Sequence, residues 1–457
     1  MRSLRSAGLL AVVAVTTAVA ATLTACSGDS QDNADGKTVV NVTIDPGLEQ
    51  GAIDAFEARV AQFESANSTI DIVPKEYKWE GTTFTAQLAG GTLPDVFTVP
   101  FTDGRGLIER KQIADISGLV AGLPYAEKFN ENIARAGSSD DGRIWAVPIA
   151  AYGQALHYNR TLFTQAGLDP DDPPSSWDEV RSAARQIAER TGQAGYAQMT
   201  SGNTGGWMLV TLAYAMGGRA ESIDGDRATS TIDTPEMARV LQTLRTMRWD
   251  DNSMGANFLY EWGTINQDFA AGRIGMHASG GGNYGSLTAQ NAMKPEDYGV
   301  TVLPLADDAD AGVLGGGTLA AVNAKASDAV RAAAVKWIDF YYMSKLITEE
   351  AAVLDARTTA DSGQAVGAPE LPVFDKATFD QRQRWISEYV NVPLEQMTPY
   401  TDEMFDQPLI PEPTRSTQEV YGLLDPVVQA VLTDRDADVS ALLRDAEAQA
   451  QALLDRR

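Results

Sequence analysis

Between residues 141 and 187 the chain runs DGRIWAVPIAAYGQALHYNRTLFTQAGLDPDDPPSSWDEVRSAARQI, and few folds accommodate that order of punctuation and pattern. Asp141-Gly142 is a turn signal. Ile144, Ala146 and Pro148, followed by the alternation over residues 155–158, predict strands that enter and leave a crossing point. Residues 161–166 predict a short helix stopped by Gly167. Pro173-Pro174 then breaks the chain, and Ser176 with Glu179 three residues on forms a capping box, so a new helix starts at Trp177. These signals set boundaries and leave function open.

With 457 residues, 44% of them hydrophobic and 21% charged, the chain can bury large cores. Domains run about 50–250 residues, so two are expected. The 36 Lys and Arg against 62 Asp and Glu leave a net charge of −26. Such a surface repels nucleic acid and anionic lipid and names no ligand, since an acidic balance more often serves solubility. Arg2 and Arg5 precede a small, apolar run over residues 7–23, and the order of charged segment, short apolar segment and small residues predicts a secretory signal over residues 1–25. A permanent membrane helix would need about 20 strongly apolar residues, and this run is Ala-rich and ends in a cleavage pattern. Cys26 is the one cysteine, so no internal disulfide can form. The phrase Leu23-Thr24-Ala25-Cys26 resembles the lipobox of bacterial lipoproteins, which implies acylation at Cys26 and an anchored chain. Residues 26–37 are polar and aperiodic, the composition of a flexible tether. Gly36-Lys37-Thr38 ends like a phosphate loop, but Gln31 stands where the first glycine belongs.

Further along, residues 38–44 and 70–73 read as strands around a helix over 53–63, with Phe56, Val60 and Phe63 on one face, which favours a parallel sheet covered by helices. Residues 84–89 are helical, 98–103 follow the next strand as a loop, 201–206 are turn formers and 207–216 helical. Helices are also predicted over 234–249, 265–270, 417–432 and 439–454, and a strand over 298–305. Ligands in open α/β sheets sit beyond the carboxyl ends of strands, so residues 45–49, 98–103 and 151–154 should face one crevice. Tyr152, at the crossing, is the leading contact and reads equally as a partly buried core tyrosine. The acidic loop 307–312 lacks EF-hand spacing. His157 and His277 lie in predicted strands, where a structural role outweighs a catalytic one. No zinc motif, nucleophile elbow or cysteine nucleophile stands in the mature region, and no cofactor is called for. A carboxylate pair for glycoside hydrolysis is a matter of spatial separation, which sequence leaves open.

Taken together, Asp141, Gly142, Arg143, Trp145, Pro148, Tyr158, Asn159, Gly167, Leu168, Pro174, Ser176, Trp177 and Glu179 resemble the signature of the extracellular solute-binding proteins of bacterial ABC importers, in particular the carbohydrate-binding, maltose-binding-protein-like group. Pro94-Asp95-Val96, Phe269-Ala270-Ala271-Gly272-Arg273-Ile274-Gly275-Met276 and Gly315-Gly316-Gly317 resemble other phrases of that family, the last implying a strand over 315–322 that returns to the first domain and a helix over 326–342 after it. Relatives often place Trp directly after the ligand-loop glycine, whereas here the aromatic is displaced to Tyr284. The resemblance implies an α/β, two-lobed, periplasmic-binding-protein-like fold (type II) with discontinuous domains and a hinge. One lobe would comprise residues 38–150 and 313–360, the other 151–312 and 361–457. It further implies a saccharide ligand, an ABC permease as partner, a membrane reached through the lipid anchor, no nucleic acid, and a monomer. The candidate contacts are Asp45, Glu49, Phe101, Asp103 and Tyr152 from loops after strands, and Asn203, Trp207, Trp262, Ser279, Gly281, Asn283 and Tyr284 from the other lobe. Two other readings stay open: a secreted glycan-processing enzyme, and a receptor for a polyol, glycerophosphodiester or peptide.

Overall fold

A computed structural model describes residues 36–48, 50–225 and 227–456. The stretch predicted as a signal, the cysteine at 26, most of the predicted tether and Glu49 lie outside the described residues. Eleven strands are present among them: β1 (Thr38–Ile44), β2 (Ile70–Glu76), β3 (Val96–Pro100), β4 (Val147–Asn159), β5 (Ala194–Tyr196), β6 (Glu221–Asp224), β7 (Arg227–Ser230), β8 (Ile274–Gly280), β9 (Tyr298–Val302), β10 (Val313–Val322) and β11 (Leu409–Pro411). β6 and β7 form a separate hairpin; the others run in the order β2-β1-β3-β10-β4-β8-β5, with β11 on β10 and β9 on β4.

The two apolar cores are joined by β4. Its residues 147–153 pair antiparallel with β10, while residues 154–159 pair with β8 and β9. The sequence pattern predicts two strands here, and the structure has one of 13 residues, because the chain changes partners without turning. The first core gathers side chains from residues 40–151, 319–343 and 371–374. The second gathers them from residues 155–314 and 392–450. Leu371, Val373 and Phe374 thus pack in the first core, where Phe374 sits 4.9 Å from Phe129 and 5.3 Å from Tyr125, although their stretch of chain was expected in the other lobe.

β1 pairs parallel with β2 and β3, as the strand–helix–strand order requires. Phe56 and Phe63, on the helix Gln50–Ala66, meet Trp337 edge to face, at 5.8 and 5.3 Å between ring centres. Burying each such ring contributes about 1.5–3 kcal/mol. The helix Arg160–Ala166 is capped by the Asn159 side chain and stopped by Gly167 at φ 76°. The helix Trp177–Thr191 begins as its cap predicts, with the Ser176 hydroxyl accepting from the Glu179 N–H at 3.3 Å. The reciprocal bond of the capping box is displaced by one residue: Glu179 accepts from the backbone N–H of Ser175 at 2.8 Å.

Two expectations about local structure fail, the first for a reason that lies far off in the chain. The helix predicted from Trp207 spans Thr204–Ala215, so Thr204, Gly205 and Gly206 are helical. Asp425 accepts from the N–H groups of Asn203 (2.8 Å) and Gly206 (2.9 Å), satisfying donors that turn formers would otherwise leave to water. Gly206 also lets the helix Thr417–Thr433 cross closely, since a Cβ there would stand 2.1 Å from the Tyr421 carbonyl oxygen. Likewise residues 98–103 are no loop: Thr98 lies in β3, and Phe101 opens the helix Phe101–Glu109. Among the described residues, no helix is long and apolar enough to cross a membrane.

Candidate ligand-binding site

The strands that link the cores also make the floor of a cleft. Where β4 runs beside β10, Tyr152 pairs with Gly316 and Ala150 with Thr318, and the register shifts between Thr318 and Leu319. A Cβ at Gly316 would come within 2.6 Å of the Tyr152 hydroxyl, so the glycine leaves the phenol ring room to lie across the strand. A cavity of about 400 Å³ opens above this crossing. That volume is within the range of about 300–1,000 Å³ usual for small-molecule sites.

Tyr152, Trp207 and Trp262 supply its aromatic surfaces, and Ser279, Asn283, Ser286, Thr318 and Glu370 its polar groups. Trp207 sits in the first turn of its helix, half-buried against the second core. Trp262 opens the helix Trp262–Ala270 and remains 39% exposed, unusual for so large an apolar side chain. Ser279 ends the buried run of β8, and its hydroxyl has no hydrogen-bond partner within the protein. Asn283 shares its amide with Asn266, donating at 2.8 Å and accepting at 3.4 Å, which ties the glycine turn after β8 to the Trp262 helix. That turn is also held by the Gly281 N–H, which donates to the Gly153 carbonyl at 2.8 Å.

Five of the sequence-derived contacts, Tyr152, Trp207, Trp262, Ser279 and Asn283, therefore come together around one cavity. The others stand elsewhere. Asp45 is exposed beyond β1, close enough to Tyr341 and Tyr342 that its negative charge raises both phenols, after burial. Phe101 is buried behind Gly317, with its ring edge 2.6 Å from where a Cβ would be, and Asp103 follows it in the same helix turn. Asn203 caps the Thr204–Ala215 helix in a left-handed conformation, φ 68°, with its amide on Gln418. Gly281 lies against the Tyr400 hydroxyl. Tyr284 is 3% exposed and packs edge to face on Tyr298 at 5.0 Å, so its ring belongs to the core and not to the cavity. An aromatic after a glycine run reads as a stacking surface; here the helix Tyr284–Asn291 starts at that residue and turns the ring inward.

Sequence reasoning missed Glu370 and Glu412. Glu370 reaches solvent within the cleft, and the protein around it raises its carboxyl pKa against the opposing charges of Arg382 and Lys345. Burial likewise raises Glu412, opposed by the Tyr421 hydroxyl, which donates to it at 3.2 Å, and by the Trp207 indole. Glu412 lies near enough to Tyr152 that, after burial, its charge pushes that phenol further up. The setting of Glu412 between Pro411 and Pro413 was a usable signal, because a carboxylate in a doubly restricted segment is held in place.

Beneath the cavity, His157 and His277 face each other across the β4–β8 pair with ring centres 5.3 Å apart. His157 Nδ1 meets the Tyr298 hydroxyl at 2.9 Å and Nε2 the Gly280 carbonyl at 2.9 Å; neither ring nitrogen of His277 has a partner. Desolvation lowers both, His157 to about 4, and the proximity of His157 depresses His277 further. They are neutral packing groups of the second core, in keeping with the structural role expected of strand histidines.

The arrangement can hold a ligand between apolar ring faces and a few hydrogen-bonding groups, at the crossing of two cores. Comparison with known proteins points the same way. Part of the chain is 26% identical over 217 residues to the sn-glycerol-3-phosphate-binding periplasmic protein UgpB of Yersinia enterocolitica, covering 46% of this chain and 47% of that protein. The chain thus spans about half the length of the curated relatives it matches. Among solved structures, the cyclic alpha-maltosyl-1,6-maltose binding protein of Arthrobacter globiformis superposes with a TM-score of 0.68 at 24% identity, over 92% of this chain and 100% of that one. The sugar-binding protein MalE of Xanthomonas citri gives 0.69 at 16% identity, over 92% and 98%. UgpB of Mycobacterium tuberculosis, in complex with glycerophosphocholine, gives 0.66 at 19%, over 92% and 99%. These likenesses carry the two-lobed α/β fold. The family pattern of the bacterial extracellular solute-binding proteins matches residues 54–362, more than half of the sequence, and the chain belongs to that family.

Proposed function

We propose that this protein is the capture component of an ABC importer: it takes a sugar or oligosaccharide into the cleft between its lobes, closes on it, and delivers it to a membrane permease. The observation that carries this reading is the cavity at the β4–β10 crossing, where Tyr152 from the linking strand meets Trp207 and Trp262 from the second core. A pyranose offers an apolar ring face and a rim of hydroxyls, and matches aromatic rings flanked by Ser279, Asn283 and Glu370. Residues 38–150 with 313–360 and 371–374, and 151–312 with the rest of 361–457, are the two bodies of the hinge motion. Contacts made by both exist only when the cleft is shut, so ligand shifts the equilibrium towards closure and the permease reads that state. Acylation at Cys26 would hold a monomeric receptor at the outer face of the membrane, with residues 26–37 as its tether. Transport, and not turnover of the sugar, is the role of the cleft.

The test is a thermal-shift screen of residues 27–457 against mono- and oligosaccharides, with sn-glycerol 3-phosphate, polyols and peptides as controls, followed by chromatography of the ligand. Ligand that binds only the native state raises the melting temperature by mass action. A shift with a saccharide recovered intact is the expected result. Cleavage of the saccharide, or shifts with the controls alone, would overturn this reading.

A further inference from the structure

Next to the Tyr152 cavity lies a second one of about 410 Å³. The two share Ala150, Ala151, Gly282 and Glu370 in their walls, so they are neighbouring compartments of one cleft. The second is framed by the helices Glu349–Asp361 and Lys376–Ile386 and by the segment that carries Glu370. Glu370 stands at the boundary, and its Cγ is 3.0 Å from where a Cβ on Gly282 would be.

The charges that line both compartments cancel. Among the described residues, Lys345 and Arg382 are the cationic side chains of the two linings, and Asp355 and Glu370 the anionic ones. Lys345 pairs with Asp355 at 3.6 Å, and Arg382 donates through Nε to the Lys345 carbonyl at 3.3 Å while feeling the fields of Asp355 and Glu370. An anionic ligand needs a cation that is not already compensated, and the chain's net charge of −26 adds a repulsive background. A hydroxyl-rich neutral ligand needs donors and acceptors side by side, which this set provides together with Thr359, Thr378 and Gln383. The Gln383 Oε1 is buried without a partner.

We propose that the cleft holds its ligand in two compartments divided at Glu370, the second taking the far end of an uncharged oligosaccharide of about three or more units. The inference rests on the reading of the chain as a saccharide receptor and goes further, to ligand length and charge. It sets this chain apart from its glycerol-phosphate-binding relatives.

Gly285 provides a clean probe. It lines the second compartment and not the first, and a Cβ built on it meets nothing within 4 Å, so a side chain has room at its root; an unchanged melting temperature of the variant checks that the fold is kept. Affinities of the wild type, Gly285→Trp and Arg382→Gln would be measured by calorimetry for neutral linear saccharides of one to four units, in the α- and β-linked glucose, galactose, mannose and xylose series, and for sn-glycerol 3-phosphate. In the wild type, affinity should rise about tenfold or more from the di- to the trisaccharide of one series. Gly285→Trp should abolish that gain and leave the shorter sugars within about twofold, Arg382→Gln should remove part of it, and the phosphate should not bind. A gain with length that survives Gly285→Trp, or no gain beyond two units, would overturn the second compartment and leave the receptor reading intact. Binding of sn-glycerol 3-phosphate lost in either variant would overturn the charge argument. Failure of every saccharide to bind would sink both readings.

Discussion

The face of the cleft that comes from the first core is made mostly of Ala150, Ala151, Gly317 and Thr318, short side chains with Glu370 reaching out at their edge, whereas the second core presents Trp207, Trp262, Ser279 and Asn283, and Tyr152 of the linking strand lies between the two. The same asymmetry runs inward. Behind the smooth face lie apolar side chains and the Phe101 ring; behind the gripping face lies a buried polar layer of His157, His277 and the Asn266–Asn283 pair. Recognition on such a plan belongs mainly to one lobe, and the other supplies a close-fitting cover. A ligand would bind first to the aromatic face and be enclosed when the smooth one arrives, which lets affinity and closure be tuned by separate residues.

The largest expected effect concerns acid, and it separates the two lobes. Both histidines of the chain lie in the second core. Their folded pKa values are depressed below the unfolded value of about 6.5, so the unfolded state binds more protons as pH falls. Their contribution to stability is whole above about pH 6.5 and declines towards pH 4, His157 alone accounting for on the order of 3 kcal/mol. Hydrogen exchange across that window should show β4 residues 154–159 and β8 losing protection before β1 to β3, and His277→Leu should reduce the slope. Uniform loss of protection would break the contrast.

A second probe tests how tightly the gripping face is built. Gly206→Ala places a methyl group 2.1 Å from the Tyr421 carbonyl and should cost about 3 kcal/mol, read as a lowered denaturation midpoint. Gly263, exposed in the Trp262 helix with nothing within 4 Å of its Cβ position, should accept the same change at no cost. The smallest effects sharpen the comparison at the ligand itself. Trp262→Ala should weaken saccharide binding by about 2 kcal/mol with little change in melting temperature, because the ring is exposed in the unliganded protein. Thr318→Val on the smooth face should change affinity by less than about 0.5 kcal/mol. Equal losses from the two would end the idea of one gripping face.

Much of the architecture was legible where signals are local. β1, the helix Trp177–Thr191 and the final helix Val439–Leu454 begin where alternation, a cap and helical apolar spacing respectively place them, because each is specified by side chains within a few residues. Distance in sequence erased other signals. The helical state of Thr204 to Gly206 depends on Asp425, more than 200 residues away, and no window around Gly205-Gly206 contains that information. The cleft was legible in part for the same reason. Trp207, Trp262, Ser279 and Asn283 stand near strand or helix ends, and Tyr152 at the point where β4 changes partners, so all five could be picked by position. Glu370 lies in an aperiodic stretch between Pro369 and Leu371-Pro372, where no pattern marks a side chain as facing a ligand. Tyr284 looked like a stacking aromatic until the helix that begins there turned it onto Tyr298.

Closure of two lobes on a saccharide is the central claim, and small-angle X-ray scattering of residues 27–457, with and without the saccharide found by thermal shift, addresses it most directly. The account predicts a smaller radius of gyration at saturation, with Trp262→Ala requiring more ligand to reach the same endpoint. An unchanged radius at saturating ligand would contradict it.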